Sequence, residues 1–223
     1  MRPPIYAPLL DRAVDALALT PQARVLDLAA GTGRLTRELA RRFADVVAVE
    51  PDDAMRSLID AGVVLAGSAE SIPLDAQTVD AVFVCEAFHW FDTRRAIAEI
   101  ARVLVPGGGL VIVSTHWWET EPPLPEPAID ILREPYERVG GPVQTGWDAF
   151  AESDFETLRE EEFEENLTVD RDALLAMYST TSPLAALADA DRDALLARVR
   201  PLLTGSYLLP VKHSLRWTRL QVR

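Results

Sequence analysis

Cysteine is nearly missing from this chain: Cys85 is the one thiol among 223 residues. A disulfide framework and a cysteine-based zinc cluster are thereby excluded. Histidine is almost as scarce. His89, His116 and His213 lie far apart and lack the pairings of a metalloenzyme motif, so no metal site is expected. Basic residues are also short, with 22 Lys and Arg against 35 Asp and Glu and a formal charge of −13. An average field of that sign repels DNA and RNA, and no run of Lys and Arg interleaved with aromatics overrides it locally. Nucleic acid is not an expected partner. The longest apolar stretches, such as Ala81 to Cys85, are strand-length and too short for a bilayer, so no membrane partner is expected. Met1 to Pro8 carry no basic stretch followed by an apolar run, which predicts no signal peptide and a cytoplasmic protein.

Almost half of the residues are hydrophobic, which is enough for a sizeable core. Pro8 to Leu19 has apolar residues at helical spacing, and Thr20-Pro21 breaks it. A short apolar run, Arg24 to Leu28, then precedes Ala-Ala-Gly-Thr-Gly and a helix over about Thr32 to Phe43. The rhythm repeats: strand Val46 to Val49, helix Asp53 to Ala61, strand Val63 to Ala66. It repeats again with strand Val79 to Cys85, helix Thr93 to Val103, the turn Pro106 to Gly109, and strand Leu110 to Ser114. Short apolar strands alternating with helices predict a doubly wound α/β fold, its parallel sheet covered on both faces.

After Ser114 the rhythm changes. His116 to Pro127 reads as a loop and Ala128 to Val139 as a helix, while Phe155 to Val169 reads as a long acidic strand partly at an edge. Helices are expected at Arg171 to Tyr178 and at Asp189 to Leu203, the latter starting at an N-capping Asp. Leu208 to Leu220 alternates, with Val211, His213, Leu215 and Trp217 on one face. The last two strands fit an antiparallel pair added to the parallel sheet. One domain is expected over 1–223: a cofactor-binding core at 1–115, a variable substrate-side region at 116–205, and a final strand at 206–223.

Val25 to Gly33 is the most informative stretch. Glycines just past a buried strand let the backbone turn tightly and approach a ligand closely. In open α/β sheets the ligand crevice lies at the carboxyl ends of the strands, at the topological switch point. A dinucleotide fingerprint needs a third small residue after Gly31-x-Gly33, and Thr36 stands there instead. Asp27 inside the strand suits a ligand with positive groups and is awkward for a pyrophosphate. Glu50, at the end of Val46 to Val49, can accept hydrogen bonds from the vicinal hydroxyls of an unphosphorylated ribose. S-adenosylmethionine meets these demands, and NAD meets the last.

Here a resemblance becomes specific. Val25 to Gly33 looks like the first motif of class I S-adenosylmethionine-dependent methyltransferases, and Val46 to Pro51 resembles the second. Gly67 to Leu74 is similar to their adenine-binding segment, Val79 to Phe91 to their fourth strand, and Arg102 to Gly108 to the turn before the fifth. The Phe-His-Trp-Phe ending at 88–91 resembles the small-molecule branch that includes trans-aconitate methyltransferase-like proteins. The resemblance implies a Rossmann-like seven-stranded sheet, mostly parallel with an antiparallel last strand, and methyl transfer by in-line displacement. It places Asp27, Gly31 and Gly33 around the methionine part, Glu50 at the ribose, and Ser68 and Ala69 at the adenine. By the same resemblance Cys85 would line the reacting centre mainly through its backbone, and Ala29, Pro51 and Met55 would complete the cofactor-binding set. The sequence departs from the family at Ser68, where an acidic residue is usual. Arg2-Pro3-Pro4-Ile5-Tyr6 also begins almost at once, where relatives carry a further stretch. Part of the lid is then expected to be absent, or the start codon to be misassigned.

His89, just past the fourth strand, is the candidate general base or substrate contact, against the alternative of a positioned structural histidine. Trp90, His116 and Trp117 are candidate substrate-pocket residues, against simple packing. His213 reads as a satisfied core residue, the glutamate runs at 160–162 and 164–165 as a solvated face, and Cys85 as an inert small side chain. The expected partner is a small-molecule acceptor, with the protein a monomer or homodimer. Two other readings stay open: a non-catalytic relative on the same fold, and an NAD-dependent oxidoreductase.

Overall fold

The computed structural model describes residues 7–116, 124–139 and 146–222. Helix α1 (Ala7–Ala16) leads into β1 (Arg24–Leu28), α2 (Arg34–Ala40), β2 (Asp45–Val49), α3 (Asp53–Arg56) and β3 (Val63–Leu65). Then come β4 (Val79–Cys85), α4 (Thr93–Val103) and β5 (Leu104–His116). The remainder holds α5 (Glu126–Val139), β6 (Arg159–Asp170), α6 (Arg171–Tyr178), α7 (Ser182–Ala185), α8 (Asp189–Val199) and β7 (Ser206–Arg219). The seven strands form one sheet in the order β3-β2-β1-β4-β5-β7-β6.

Strands β1 to β5 pair in parallel. Their interiors are apolar apart from Asp27 in β1 and Asp80 in β4, because helices cover both faces, which leaves no wet side to favour polar residues. Period-two alternation then sorts the side chains. Leu26, Leu28, Val47, Val49, Val82 and Val84 enter one core layer with Ile97 and Ile100 of α4. Val25, Val46, Ala81 and Phe83 enter the other with Leu9 and Leu10 of α1 and Leu35 and Leu39 of α2. Strand β7 runs against β5: the Leu220 N–H donates to the Gly108 carbonyl, while Thr115 meets His213 near the opposite end. It also runs against β6, where Phe155 bridges Leu220 and Lys212 pairs with Glu164.

The chain divides into two compact units. The first spans 5–115, 143–163 and 213–223 and contains both core layers above. The second spans 1–4, 116–142 and 164–212. Its core joins Ala128 and Leu132 of α5, Leu174 and Leu175 of α6, Val199 of α8, and Leu209 and Val211 of β7. An ion pair of 2.7 Å between Arg198 and Glu134 ties α8 to α5.

Several local expectations are corrected. The helix expected from Thr32 begins at Arg34, because Gly33 sits at φ +77 and a left-handed residue cannot be the interior of a right-handed helix. The helix expected over 53–61 is a single turn ending at Arg56. Gly62, at φ +72 and placed where a β-carbon would lie 2.6 Å from the Val46 carbonyl oxygen, turns the chain into β3. The turn at Pro106 to Gly109 is absorbed into a longer β5, with a register shift opposite Val79 and Ala81. Helix α8 starts at Asp189, but the capping position is Ala188 and no side chain caps it. The edge position of β6 is as expected. Its glutamates are more than a solvated face: Glu161 takes a bidentate pair from Arg12, Glu160 pairs with Arg216, and Glu164 with Lys212. His213 is 1 % exposed, its Nδ1 3.1 Å from the Thr115 hydroxyl, as a satisfied core histidine should be.

Candidate functional site

The strand order reverses between β1 and β4, since β2 and β3 lie to one side and β5 to the other. A crevice at the carboxyl ends of such a pair is where this architecture binds ligands. The loops leaving both strands carry backbone strain there. Ala29 and Glu86, each the first residue after its strand, sit at φ +58, a conformation costing a side-chain-bearing residue about 1–2 kcal/mol. Both are pinned by sheet neighbours: the Ala30 N–H donates to the Val49 carbonyl, and the Glu86 N–H to the Val113 carbonyl.

Glu50 follows β2 immediately and is 5 % exposed. Its Oε2 accepts the Gly31 N–H at 2.8 Å and its Oε1 the Asp52 N–H at 2.9 Å. One carboxylate thus ties the glycine hairpin to the turn that opens α3. That turn is capped by Asp52, which accepts the Met55 N–H, and leaves Pro51 and Met55 exposed beside the anchor. Asp27, 1 % exposed, lies beneath the same hairpin and accepts a 2.6 Å bond from the Thr36 hydroxyl. Burial pushes its carboxyl up to about 7; the bonds from Thr36 pull down, and the nearby Glu50 pushes up.

The segment after β3 is held from α4. Arg102 donates to the Ile72 and Leu74 carbonyls, while Glu99 accepts the Ile72 N–H and pairs with Arg102. Arg102, followed by this backbone N–H bond, draws the Glu99 carboxyl below its ordinary range. Within the segment Ser68 and Ser71 form a short antiparallel bridge, with Ala69 buried and Ser68 half-buried at its turn. Sequence reasoning singled out Ser68 and Ala69 in this segment but missed the clamp. The Glu99-x-x-Arg102 spacing was readable as a helix pair, not as a grip on a distant loop. Thr36 and Glu86 were missed too, and Glu86 carries no sequence signal for its backbone conformation.

The residues fit a cationic nucleoside. A β-carbon built on Gly31 meets nothing within 4 Å, so the outer side of the hairpin is open, whereas one on Gly33 strikes Ile59 at 3.0 Å. The acids nearest that opening, Asp27 and Glu50, suit an ammonium, a sulfonium and ribose hydroxyls, and oppose a phosphate. Asp27, Ala29, Gly31, Gly33, Glu50, Pro51, Met55, Ser68, Ala69 and Cys85 all belong to the first compact unit. Cys85, half-buried, ends β4 on the same face as Phe83. A hollow of about 310 Å³ elsewhere, between Leu19, Pro21, Arg42 and Phe43, adjoins the amino ends of β1 and β2 and includes none of these residues.

Past β4, a single 3-10 turn spans Phe88–Trp90. Phe88 anchors it, stacked on Trp147 with centroids 5.1 Å apart and packed against Phe150 and Phe91. That anchor leaves His89 half-buried, its ring 4.9 Å from Trp90, and Trp90 65 % exposed. His116 ends β5 and opens the second unit, and Trp117 lies outside the described residues, as does the 2–6 segment. Among the described residues no helix is long and apolar enough to cross a membrane, and no three His, Cys, Asp or Glu side chains are grouped to hold a metal.

Residues 26–112 match the family described as Methyltransferase domain. An uncharacterised methyltransferase of Mycobacterium tuberculosis is 50 % identical over 121 residues, covering 52 % of this chain and 47 % of its own. A malonyl-[acyl-carrier protein] O-methyltransferase of Methylococcus capsulatus is 38 % identical over 100 residues, covering 40 % of this chain and 36 % of its own. These alignments span about half or less of the relatives' lengths. A candidate type II methyltransferase of Anaeromyxobacter dehalogenans has the same fold, with a TM-score of 0.67 at 22 % identity over all of both chains. Residues 26–112 thus match the methyltransferase domain family, and the sheet they belong to has the fold of a solved methyltransferase relative.

Proposed function

We propose that this chain transfers a methyl group from S-adenosylmethionine to a small-molecule acceptor. The observation that carries the reading is Glu50, whose carboxylate holds the glycine hairpin at the switch point beside a second buried acid, Asp27. That cradle is anionic and offers nothing to a phosphate. When bound, S-adenosylmethionine supplies a methyl group on a sulfonium, already a good leaving group.

The chain's own residues bind, orient and exclude water. Glu50 holds the ribose hydroxyls, Asp27 with Gly31 and Gly33 the amino-acid part, and Ser68 and Ala69 the adenine. Cys85 lines the reacting centre. His89 stands on the loop of β4, one of the two strands flanking the crevice, and serves as the base or acceptor contact. Acceptor recognition belongs to 116–205, including His116 and Trp117, with Trp90 as an exposed aromatic wall. The net charge of −13 disfavours a nucleic-acid acceptor. The Methylococcus relative is named for methylating a malonyl group, and a carboxylate acceptor of that kind would need no general base. The protein works in the cytoplasm as a monomer or homodimer.

Calorimetric titration with S-adenosylmethionine and S-adenosylhomocysteine tests the reading. Saturable heat with thermal stabilisation is the expected result. No heat and no stabilisation at millimolar ligand sinks it.

A further inference from the structure

Asp27 and Glu50 project from the same face of neighbouring strands. Asp27 pairs with Ala48 in the β1–β2 register, and two residues further along β2 brings Glu50 to that face. The pair is 1 % and 5 % exposed. A buried carboxylate normally lies beside a cation or takes several hydrogen bonds. Glu50 has two backbone N–H donors, and Asp27 has the Thr36 hydroxyl and backbone.

Among the described residues no basic side chain hydrogen-bonds to either carboxyl. On α2, the Arg37 guanidinium is taken by Asp60 and the Leu58 carbonyl, and Arg34 stands at the first turn. Beside β2, Arg56 donates to the Glu50 and Pro51 carbonyl oxygens and pairs with Asp53. On α1, Asp11 pairs with Arg42, Arg12 binds Glu161, and Asp15 is the further acid. From β4 the titratable group is the Cys85 thiol. The site therefore holds two buried acids with no countercharge hydrogen-bonded to them among the described residues, and its cofactor brings one.

We propose that Asp27 is the charge-sensing residue of this site: it holds a proton in the ligand-free protein and releases it to solvent when the ammonium-bearing part of the cofactor is seated. The inference rests on the S-adenosylmethionine reading above. Burial and Glu50 both favour the protonated acid, whose carboxyl is pushed up to about 7. An ammonium placed against it favours the carboxylate instead. Binding and ionisation are then linked, and each strengthens the other. The O–H bond of Asp27 breaks, its electron pair stays on the carboxylate, and the proton passes to buffer. Selectivity follows, because a neutral nucleoside offers nothing to offset the cost of ionising a buried acid.

Calorimetry on the whole chain at pH 6, in buffers of differing ionisation enthalpy, counts the protons directly and needs no turnover. That pH lies below the range in which a free α-amino group titrates, at about 7.7–8.0. S-adenosylmethionine and S-adenosylhomocysteine should each release close to one proton. Their dissociation constants should fall about tenfold per pH unit between pH 5 and 6. 5′-Methylthioadenosine, which lacks the amino-acid part, should bind without proton release. Asp27→Asn should abolish both the release and the pH dependence. Thr36→Val removes a bond that favours the carboxylate, and should carry the release to higher pH. Should Asp27→Asn fail to fold, the wild-type and Thr36→Val titrations decide the matter. Tight binding of S-adenosylhomocysteine with no proton exchange at pH 6 overturns the proposal and leaves the cofactor reading standing. Equal release by methylthioadenosine overturns it as well. Absence of binding by all three ligands removes the cofactor reading and the proposal together.

Discussion

Glu50 and Gly31, nineteen residues apart, are joined by a 2.8 Å bond from the glycine N–H to the carboxylate Oε2. Glu50→Ala frees that donor and the Asp52 N–H together. We expect it to destabilise the fold by about 1–3 kcal/mol and to weaken S-adenosylmethionine by a similar amount. Glu50→Gln, which retains one carbonyl oxygen, should lose less of each. Urea denaturation and calorimetry measure the two effects separately, and unchanged affinity in Glu50→Ala would place the ribose elsewhere.

Gly31 and Gly33 should respond differently to the same change. Gly31→Ala meets open space and bears only the strain of φ +57, about 1 kcal/mol, but its methyl projects where the ligand should lie. Gly33→Ala adds a clash with Ile59, backbone included, to a φ of +77, for about 2–4 kcal/mol. Denaturant midpoints should rank Gly33→Ala as the less stable, while affinity per folded molecule should fall further in Gly31→Ala.

Asp27 also makes stability depend on pH. Its carboxyl is raised from 3.8 to about 7 by burial, so between those values the unfolded chain has lost a proton that the folded chain keeps. Stability from this group is fully present below about pH 4 and is lost as pH rises towards 7, on the order of 4 kcal/mol in all. Denaturation at pH 5, 6, 7 and 8 should show the wild type losing ground to Asp27→Asn over that range. A wild type that gains on the variant with rising pH would contradict this sign.

Arg102→Ala removes two bonds to the 72–74 backbone and the partner of Glu99. Solvent reaches this pair, so the expected loss is modest, about 1–2 kcal/mol. Cofactor affinity should drop with it, because the 67–74 segment loses its grip on α4. Hydrogen exchange confined to that segment is the direct readout.

His89→Ala separates catalysis from binding. As a general base His89 should carry a factor of about 10²–10⁴ in turnover, with cofactor affinity unchanged. Preserved turnover would reassign it to packing against Trp90.

The parts legible in the sequence were those that a local pattern determines. Strand β4 and helices α4 and α6 fall where apolar periodicity put them, since each buries one continuous stripe or run. Asp27 and Glu50 stood out because an acid in or just past an apolar strand is out of place there, and both are buried. What escaped was set by distant contacts. Helix α3 stops after one turn, and Gly62 beyond it sits where a β-carbon would strike the Val46 carbonyl, a constraint that no residue between 53 and 61 encodes. The left-handed backbone of Ala29 and Glu86 is imposed by the Val49 and Val113 carbonyls of neighbouring strands on the residues around them. The exposure of Trp90 follows from Phe88 choosing Trp147, 59 positions away, as its stacking partner.

Strand β6 ends the sheet, and an unpaired strand margin invites another chain to add itself there. Glutamates at 160, 162 and 164 on one side and at 161 and 165 on the other outnumber the cations paired with them, Arg12, Arg216 and Lys212, and leave that margin negatively charged. Two copies approaching edge to edge would bring like charges together before a single ladder bond could form. The outer rim of the sheet is thereby a barrier to association rather than a nucleus for it.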